Sequence, residues 1–271
     1  MRIRILGTSA AEAWPAVFCG CEFCDAARAR GGKSLRSRSG TLIDDDVLID
    51  FSPDTTMHAL KYGLKLNALR HILQSHAHED HFYPSELEMM ASPFAHDVAP
   101  IVVHGNERVC DAVKRAKVVH SGPNPVECQR HTAFEAVDLG GGRGVTPLPA
   151  LHARDQECFV LYVTDGRSSF LYGHDSGIYP EATFEFLRGK RLDMITLDCT
   201  NGPNKEGTNH MGIPDCVAVR ERLLRSGAAS EDTRFVLTHF SHNGGLLHEE
   251  LEELACPLGF EIAYDGAEYI I

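Results

Sequence analysis

Nowhere in the chain do about 18 apolar residues run together, so no membrane-spanning helix is expected. Low-complexity segments and short tandem repeats are missing too, which argues against a solenoid or a largely disordered chain. Positive charge is in deficit: 26 Lys and Arg stand against 38 Asp and Glu, a net charge of -12. Such a surface repels a long polyanion, and duplex nucleic acid is not an expected partner. The N-terminus lacks the charged region and apolar block of a secretory leader, opening instead on the strand-like alternation Arg2-Ile3-Arg4-Ile5-Leu6. With nine cysteines, an odd number, this points to a reducing, cytoplasmic setting. A length of 271 residues suits one layered domain over 1–271 with a substantial core.

What the chain does have is histidine in one place. His76-Ala77-His78-Glu79-Asp80-His81 packs three imidazoles and an aspartate directly after the apolar run His71-Ile72-Leu73. Imidazole nitrogen and carboxylate oxygen suit borderline divalent metals, and alternate positions on a tight loop present side chains to a common point. His76 and His78 can share one ion while Asp80 and His81 turn to a second. Such a pair needs more ligands, and single residues at the ends of apolar runs supply them: His152 after Val145 to Leu151, Asp175 after Ser169 to His174, and His239 after Phe235 to Thr238. Taken one at a time, each also fits a strand-end residue satisfied by backbone.

A second cluster, Cys19-Gly20-Cys21-Glu22-Phe23-Cys24, puts three thiols within six residues, in a loop at about 19–24. Thiolates at this spacing favour a closed tetrahedral zinc and want a fourth ligand, for which His242, three residues beyond His239, is the candidate. The same thiols also fit a reduced, unligated set. Cys110, Cys128, Cys158, Cys199, Cys216 and Cys256 are most simply buried or neutral thiols. The basic run from Arg28 to Arg38 reads as a solvated surface, or as a patch that steers a small phosphate.

Together these motifs resemble the metallo-β-lactamase superfamily, with its His-x-His-x-Asp-His and the downstream His, Asp and His, over essentially the whole chain. The resemblance implies that His76, His78 and His152 hold one metal, that Asp80, His81 and His239 hold the other, and that Asp175 bridges both. An Asp at 175 looks like the phosphodiesterase branch, not the branch that opens lactam rings. Within that branch the chain is similar to the phosphoribosyl 1,2-cyclic phosphate phosphodiesterases of bacterial phosphonate breakdown. The segments that match are Leu6 to Ala10, Cys19 to Arg28, the metal motif, Asp198-Cys199-Thr200, Asn209-His210, Leu237 to His242, and Gly259-Phe260-Glu261 with Tyr264-Asp265-Gly266. It departs at Phe82-Tyr83-Pro84 and at His174, beside the bridging Asp.

The resemblance implies a four-layer αββα sandwich of the α/β class, two divalent ions (Mn2+ or Zn2+), one structural Zn2+ on Cys19, Cys21, Cys24 and His242, and a small phosphorylated substrate. A homodimer is left open. Two adjacent ions lower the pKa of a shared water toward about 7 and aim it at phosphorus. Asp80 is expected to orient or deprotonate that water, and His210 to act as general acid or phosphate contact. His210 also fits a helix-start histidine with no chemical role. Asp50 is expected to fix a metal-ligating histidine. Two other activities share these motifs: tRNA 3′ processing, and a metal-binding accessory role in quinone-cofactor assembly.

Along the chain, Thr41 to Ile43 and Val47 to Asp50 read as a hairpin, Asp54 to Leu60, Pro84 to Ala91 and Glu107 to Ala116 as helices, and Ile101 to His104 as a strand. A turn-rich region from Ser121 to Gln129 leads to strands near Val145, Val160, Phe170, Ile195 and Val236, with helices near Thr183 and Val217.

Overall fold

The computed structural model describes residues 1–116, 118 and 124–271. Strands are sorted into two sheets almost by chain order. The first half supplies β1 (Arg2–Gly7), β2 (Gly40–Ile43), β3 (Val47–Ile49), β4 (His71–Leu73), β5 (Ile101–Gly105) and β6 (Val126–Arg130). The second half supplies β7 (Val137–Gly140), β8 (Arg143–Pro149), β9 (Phe159–Thr164), β10 (Ser169–Gly173), β11 (Met194–Asp198), β12 (Arg234–Thr238) and β13 (Glu261–Ile262), and then β14 (Glu268–Ile270) crosses back. The sheet orders are β14-β1-β2-β3-β4-β5-β6 and β13-β12-β11-β10-β9-β8-β7, seven strands each.

The sheets face one another because their strands alternate with period two. Phe159, Leu161 and Val163 of β9, Phe170 and Tyr172 of β10, and Val236 of β12 meet Ile3, Ile5, Ile49 and Leu73 of the first sheet. The intervening Val160, Leu171, Phe235 and Leu237 point the other way, under helices α1 (Glu22–Arg30), α4 (Glu181–Leu187), α5 (Ile213–Arg225) and α6 (His248–Ala255). Leu42, Leu48, Ile72 and Val103 likewise pack under α2 (Thr55–Tyr62) and α3 (Glu107–Arg115). Strands buried on both faces read as continuous apolar runs, which is why β10 and β11 contain so little that is polar. The result is the four-layer αββα sandwich.

Helix α2 stops at Gly63, whose left-handed φ of 63° closes its C-terminus. Gly7 matters more for the site: a Cβ there would collide with the Arg38 carbonyl, so glycine lets the Thr8 to Glu12 segment lie against residues 37 and 38.

Pro84–Met90 is helical as expected, in the 3-10 form. Other expectations need correction. Of the turn-rich region, residues 121–123 lie outside the described residues, and Val126 to Gln129 belong to β6. Cys110 and Cys128 are not free thiols: α3 packs beside β6, bringing their Cα atoms to 5.3 Å, and the two sulfurs are bonded. Cys158, Cys199 and Cys216 are buried, whereas Cys256 is exposed.

A row of histidines at the inter-sheet edge carries a stability prediction. His71 Nδ1 lies 3.0 Å from His104 Nε2, and the His104 ring stacks 5.8 Å from that of His131, whose nitrogens have no hydrogen-bond partner among the described residues. Burial pushes His104 down to about 3 and His131 down to about 4. Both are depressed relative to the unfolded chain, so their contribution is complete above the ordinary histidine pKa and is lost as pH falls from about 6.5, toward about 4 for His131 and about 3 for His104. In urea titrations, His131→Phe should flatten this fall by up to about 1 kcal/mol per pH unit. A pH dependence identical to the parent protein's would show that His131 does not cause it.

Candidate metal centre

The parallel strands of both sheets end at the same rim, where side chains face a cleft and not a core. Three strand-end residues, Asp50, Asp175 and His239, have positive φ of 60°, 46° and 59°. Non-glycine residues adopt this left-handed geometry at a cost of order 1–3 kcal/mol, which is tolerated where it aims a side chain. After β4 the chain makes a tight turn, with the amides of His81 and Phe82 both donating to the His78 carbonyl, at 3.0 and 2.8 Å. This turn sets His76 and His78 on one side and Asp80 and His81 on the other.

All seven residues singled out for the dinuclear site converge. His76, His78, His152 and Asp175 form one group, and Asp80, His81, Asp175 and His239 a second, with the ligand atoms of each group within 4.8 Å of one another. Asp175 sits between them: Oδ2 lies 3.3 Å from His76 Nε2 and 2.9 Å from His81 Nε2, and Oδ1 lies 3.1 Å from His239 Nε2. His78 Nδ1 faces His76 Nε2 at 2.8 Å and His152 Nε2 at 3.2 Å.

This donor set fits a pair of divalent ions. Three imidazole nitrogens turned on one another compete for protons, and His81 Nε2, His239 Nε2 and Asp175 Oδ1, though in contact, are buried without a well-aligned hydrogen bond among the described residues. Burial opposes ionisation of Asp175, yet the imidazoles of His239 and His81 hold its carboxyl well below the usual range. Burial drives His76 strongly down, leaving its nitrogen free as a ligand.

Behind these groups, Asp50 is wholly buried and accepts from four donors: Ser75 N and Oγ, each at 2.9 Å, His81 Nδ1 at 2.7 Å and Tyr172 OH at 2.7 Å. The bond from His81 Nδ1 fixes that ring with Nε2 toward the cluster. His174 does not reach the cleft; it is buried against the Tyr172 ring at 3.8 Å.

His210 stands at the rim of the cluster. Its Nδ1 lies 2.9 Å from Asp198 Oδ2 and 3.4 Å from Asp175 Oδ1. Burial pulls this imidazole down, but the hydrogen bond and charge of Asp198 override it and hold His210 up at about 9. Sequence reasoning assigned Asp198 no role, although it ends the apolar run Met194 to Leu197 in the same strand-end pattern as the other candidates. Thr200 was also missed; its hydroxyl lies 2.8 Å from His239 Nδ1.

The second cluster closes as well. Cys19, Cys21, Cys24 and His242 bring their ligand atoms within 4.8 Å of one another, with His242 Nδ1 at 3.4 Å from Cys21 Sγ and 3.8 Å from Cys19 Sγ. Hydrogen bonding from the Cys24 backbone, and then from His242, draws the Cys21 thiol down to about 6, favouring the thiolate that a metal needs. The cations of the basic run have partners of their own. Arg36 is buried on Thr8 and the Ala263 carbonyl, Arg38 pairs with Asp54, and Arg28, Arg30 and Lys33 pair with Asp25, Glu249 and Glu252.

A profile of the beta-lactamase superfamily domain matches residues 45–240, a span that includes all seven residues of the first cluster and none of the second. No curated protein sequence matches the chain. Among solved structures, a diphosphatase from the PhnP family is 25% identical, with a TM-score of 0.76 over 100% of this chain and 97% of that one. Zn(2+)-bound PqqB from Methylobacterium extorquens is 16% identical with a TM-score of 0.72, covering 100% of each chain. Human tRNase Z, short form, is 17% identical with a TM-score of 0.66, over 100% of this chain and 99% of that one. The last two likenesses concern the fold. With its sandwich, its rim of histidines and aspartates and the profile match, this chain belongs to the beta-lactamase superfamily and has the architecture of a metal-dependent hydrolase.

Proposed function

We propose that the chain is a dinuclear metal-dependent phosphodiesterase acting on a small cyclic phosphate, with phosphoribosyl 1,2-cyclic phosphate as the leading substrate. One observation carries the reading: at the rim of the clustered ligands, His210 is anchored through Nδ1 on Asp198 Oδ2 at 2.9 Å and stands 3.4 Å from Asp175 Oδ1, an imidazole placed to protonate a leaving oxygen. His76, His78 and His152 would hold one Mn2+ or Zn2+, Asp80, His81 and His239 the other, and Asp175 both. When bound, the ions would supply an acidified water and positive charge against the phosphoryl oxygens.

The chain's own residues do the rest. Asp80, in the cleft wall, orients the water. Hydrolysis joins the water oxygen to phosphorus and breaks one bond from phosphorus to a sugar oxygen, which must leave with a proton. His210 gives that proton from Nε2, while Asp198 holds Nδ1 and aims the ring. Cys19, Cys21, Cys24 and His242 would hold a structural Zn2+ that pins the loop entering α1 to the loop after β12.

A second reading, cleavage of a diphosphate bond, is supported by the likeness to the PhnP-family diphosphatase. The test is a panel assayed with Mn2+ and with Zn2+: phosphoribosyl 1,2-cyclic phosphate, a diphosphate diester and, at low salt, precursor tRNA. Preferred turnover of the cyclic phosphate is expected. Preference for the diphosphate or the tRNA would move the assignment, and no turnover with two ions bound would favour an accessory role.

The role of His210 has its own check. His210→Ala should lower kcat by roughly 10²–10⁴-fold for an alkoxide leaving group and much less for p-nitrophenolate, which departs without a proton. Equal losses on both substrates would remove His210 as the acid.

A further inference from the structure

Once the metal-facing groups are set aside, the cleft has an unusual wall. It encloses about 250 Å³, and among the described residues no Lys or Arg lines it. The remaining polar groups are Thr200 on the side of His210, and Glu12, Ser241 and Asn243 on the other. Glu12 is the one carboxylate in this wall outside the metal-facing clusters. It is held in place from behind: Ser241 Oγ donates to Oε1 at 2.5 Å, and His242 Nε2 lies 3.7 Å from the same oxygen. Ser241 Oγ is fixed in turn by the Asn243 amide at 3.1 Å. Both contacts fall on Oε1, and among the described residues none falls on Oε2. A half-buried carboxylate oxygen, oriented and unused, repels an anion and accepts hydrogen bonds from hydroxyl groups.

We propose that Glu12, held by Ser241 and flanked by Asn243, forms a hydroxyl-binding subsite that takes the sugar part of the substrate. The inference rests on the phosphodiesterase reading and narrows it: the substrate carries its reacting phosphoryl group at the clustered ligands and free hydroxyls toward Glu12. Glu12 is then a specificity residue. An oriented carboxylate acceptor discriminates here, because a substrate lacking the hydroxyl makes no use of it.

Two measurements on the metal-loaded protein test this. The first compares kcat and KM for ribose 1,2-cyclic phosphate and for hydroxyl-free ethylene phosphate in the parent protein and in Glu12→Gln. The parent should favour the ribose ester at least tenfold in kcat/KM, and Glu12→Gln should cut that preference at least fivefold, with the loss in KM. An equal loss on both substrates, or zinc lost from the cysteine cluster, would make Glu12 a structural support of His242 and overturn the subsite. The second measures calorimetric binding of ribose 1-phosphate against inorganic phosphate and needs no turnover. A parent that binds ribose 1-phosphate more tightly, an advantage lost in Glu12→Gln, supports the subsite even if every phosphodiester resists hydrolysis. A parent that binds both alike would refute it, whatever the fate of the phosphodiesterase reading.

Discussion

Asp175→Ala is expected to lower kcat/KM for the cyclic phosphate by on the order of 10³-fold or more, the largest effect of any single change in this chain. Asp175 touches both groups of ligands, with Oδ2 toward His76 and His81 and Oδ1 toward His239. Its removal leaves Asp80 as the one carboxylate of the two ligand groups, and no group that touches both. Metal content should therefore fall together with activity. The strained φ of 46° at this position makes the backbone part of the test, since alanine keeps the Cβ and inherits that strain. Asp175→Asn separates the two causes: it preserves shape and should still lose metal. Full turnover in either variant would mean that no shared ligand is needed.

Cys21→Ser should cost stability more than chemistry. The four residues of the second cluster join the loop before α1 to the loop after β12, segments more than 200 residues apart in sequence. A structural zinc contributes folding energy directly, and losing one thiolate should release it and lower the melting temperature by roughly 6–12 °C, from a loss of about 3 kcal/mol. The histidine cluster keeps all its ligands in this variant and should still bind its metals. Elemental analysis beside a melting curve reads both outcomes; zinc content equal to the parent's would reject the assignment.

The parts of the site that were legible in sequence are those that obey local rules. His76 to His81 is a contiguous motif, and His152, Asp175 and His239 stand where apolar runs end, which makes them candidates that the motif and the family likeness then single out. Asp198 obeys the same rule, and a stricter use of it would have found the partner of His210. Other features depend on distant partners. Arg36 looked like surface, but it is buried on Thr8 and the Ala263 carbonyl; Arg30 and Lys33 are matched by Glu249 and Glu252 from α6. Cys110 and Cys128, 18 residues apart, meet because α3 packs beside β6, which no spacing rule anticipates. Glu12 is an ordinary residue in a turn until Gly7 lets its segment approach residues 37 and 38 and the β12 loop reaches it with Ser241. The fold was visible in outline as interleaved strands and helices, whereas the layer order came from the family likeness, because alternation shows that a strand has two faces and not what covers each.

The most direct measurement is anomalous diffraction from crystals of the protein grown with Mn2+ and purified with its zinc retained. Two manganese peaks are expected among His76, His78, Asp80, His81, His152, Asp175 and His239, with Asp175 between them, and one zinc peak about 2.3 Å from the sulfurs of Cys19, Cys21 and Cys24. A single peak in the histidine cluster, or peaks that leave out Asp175, would contradict the two-ion centre on which the proposed chemistry depends.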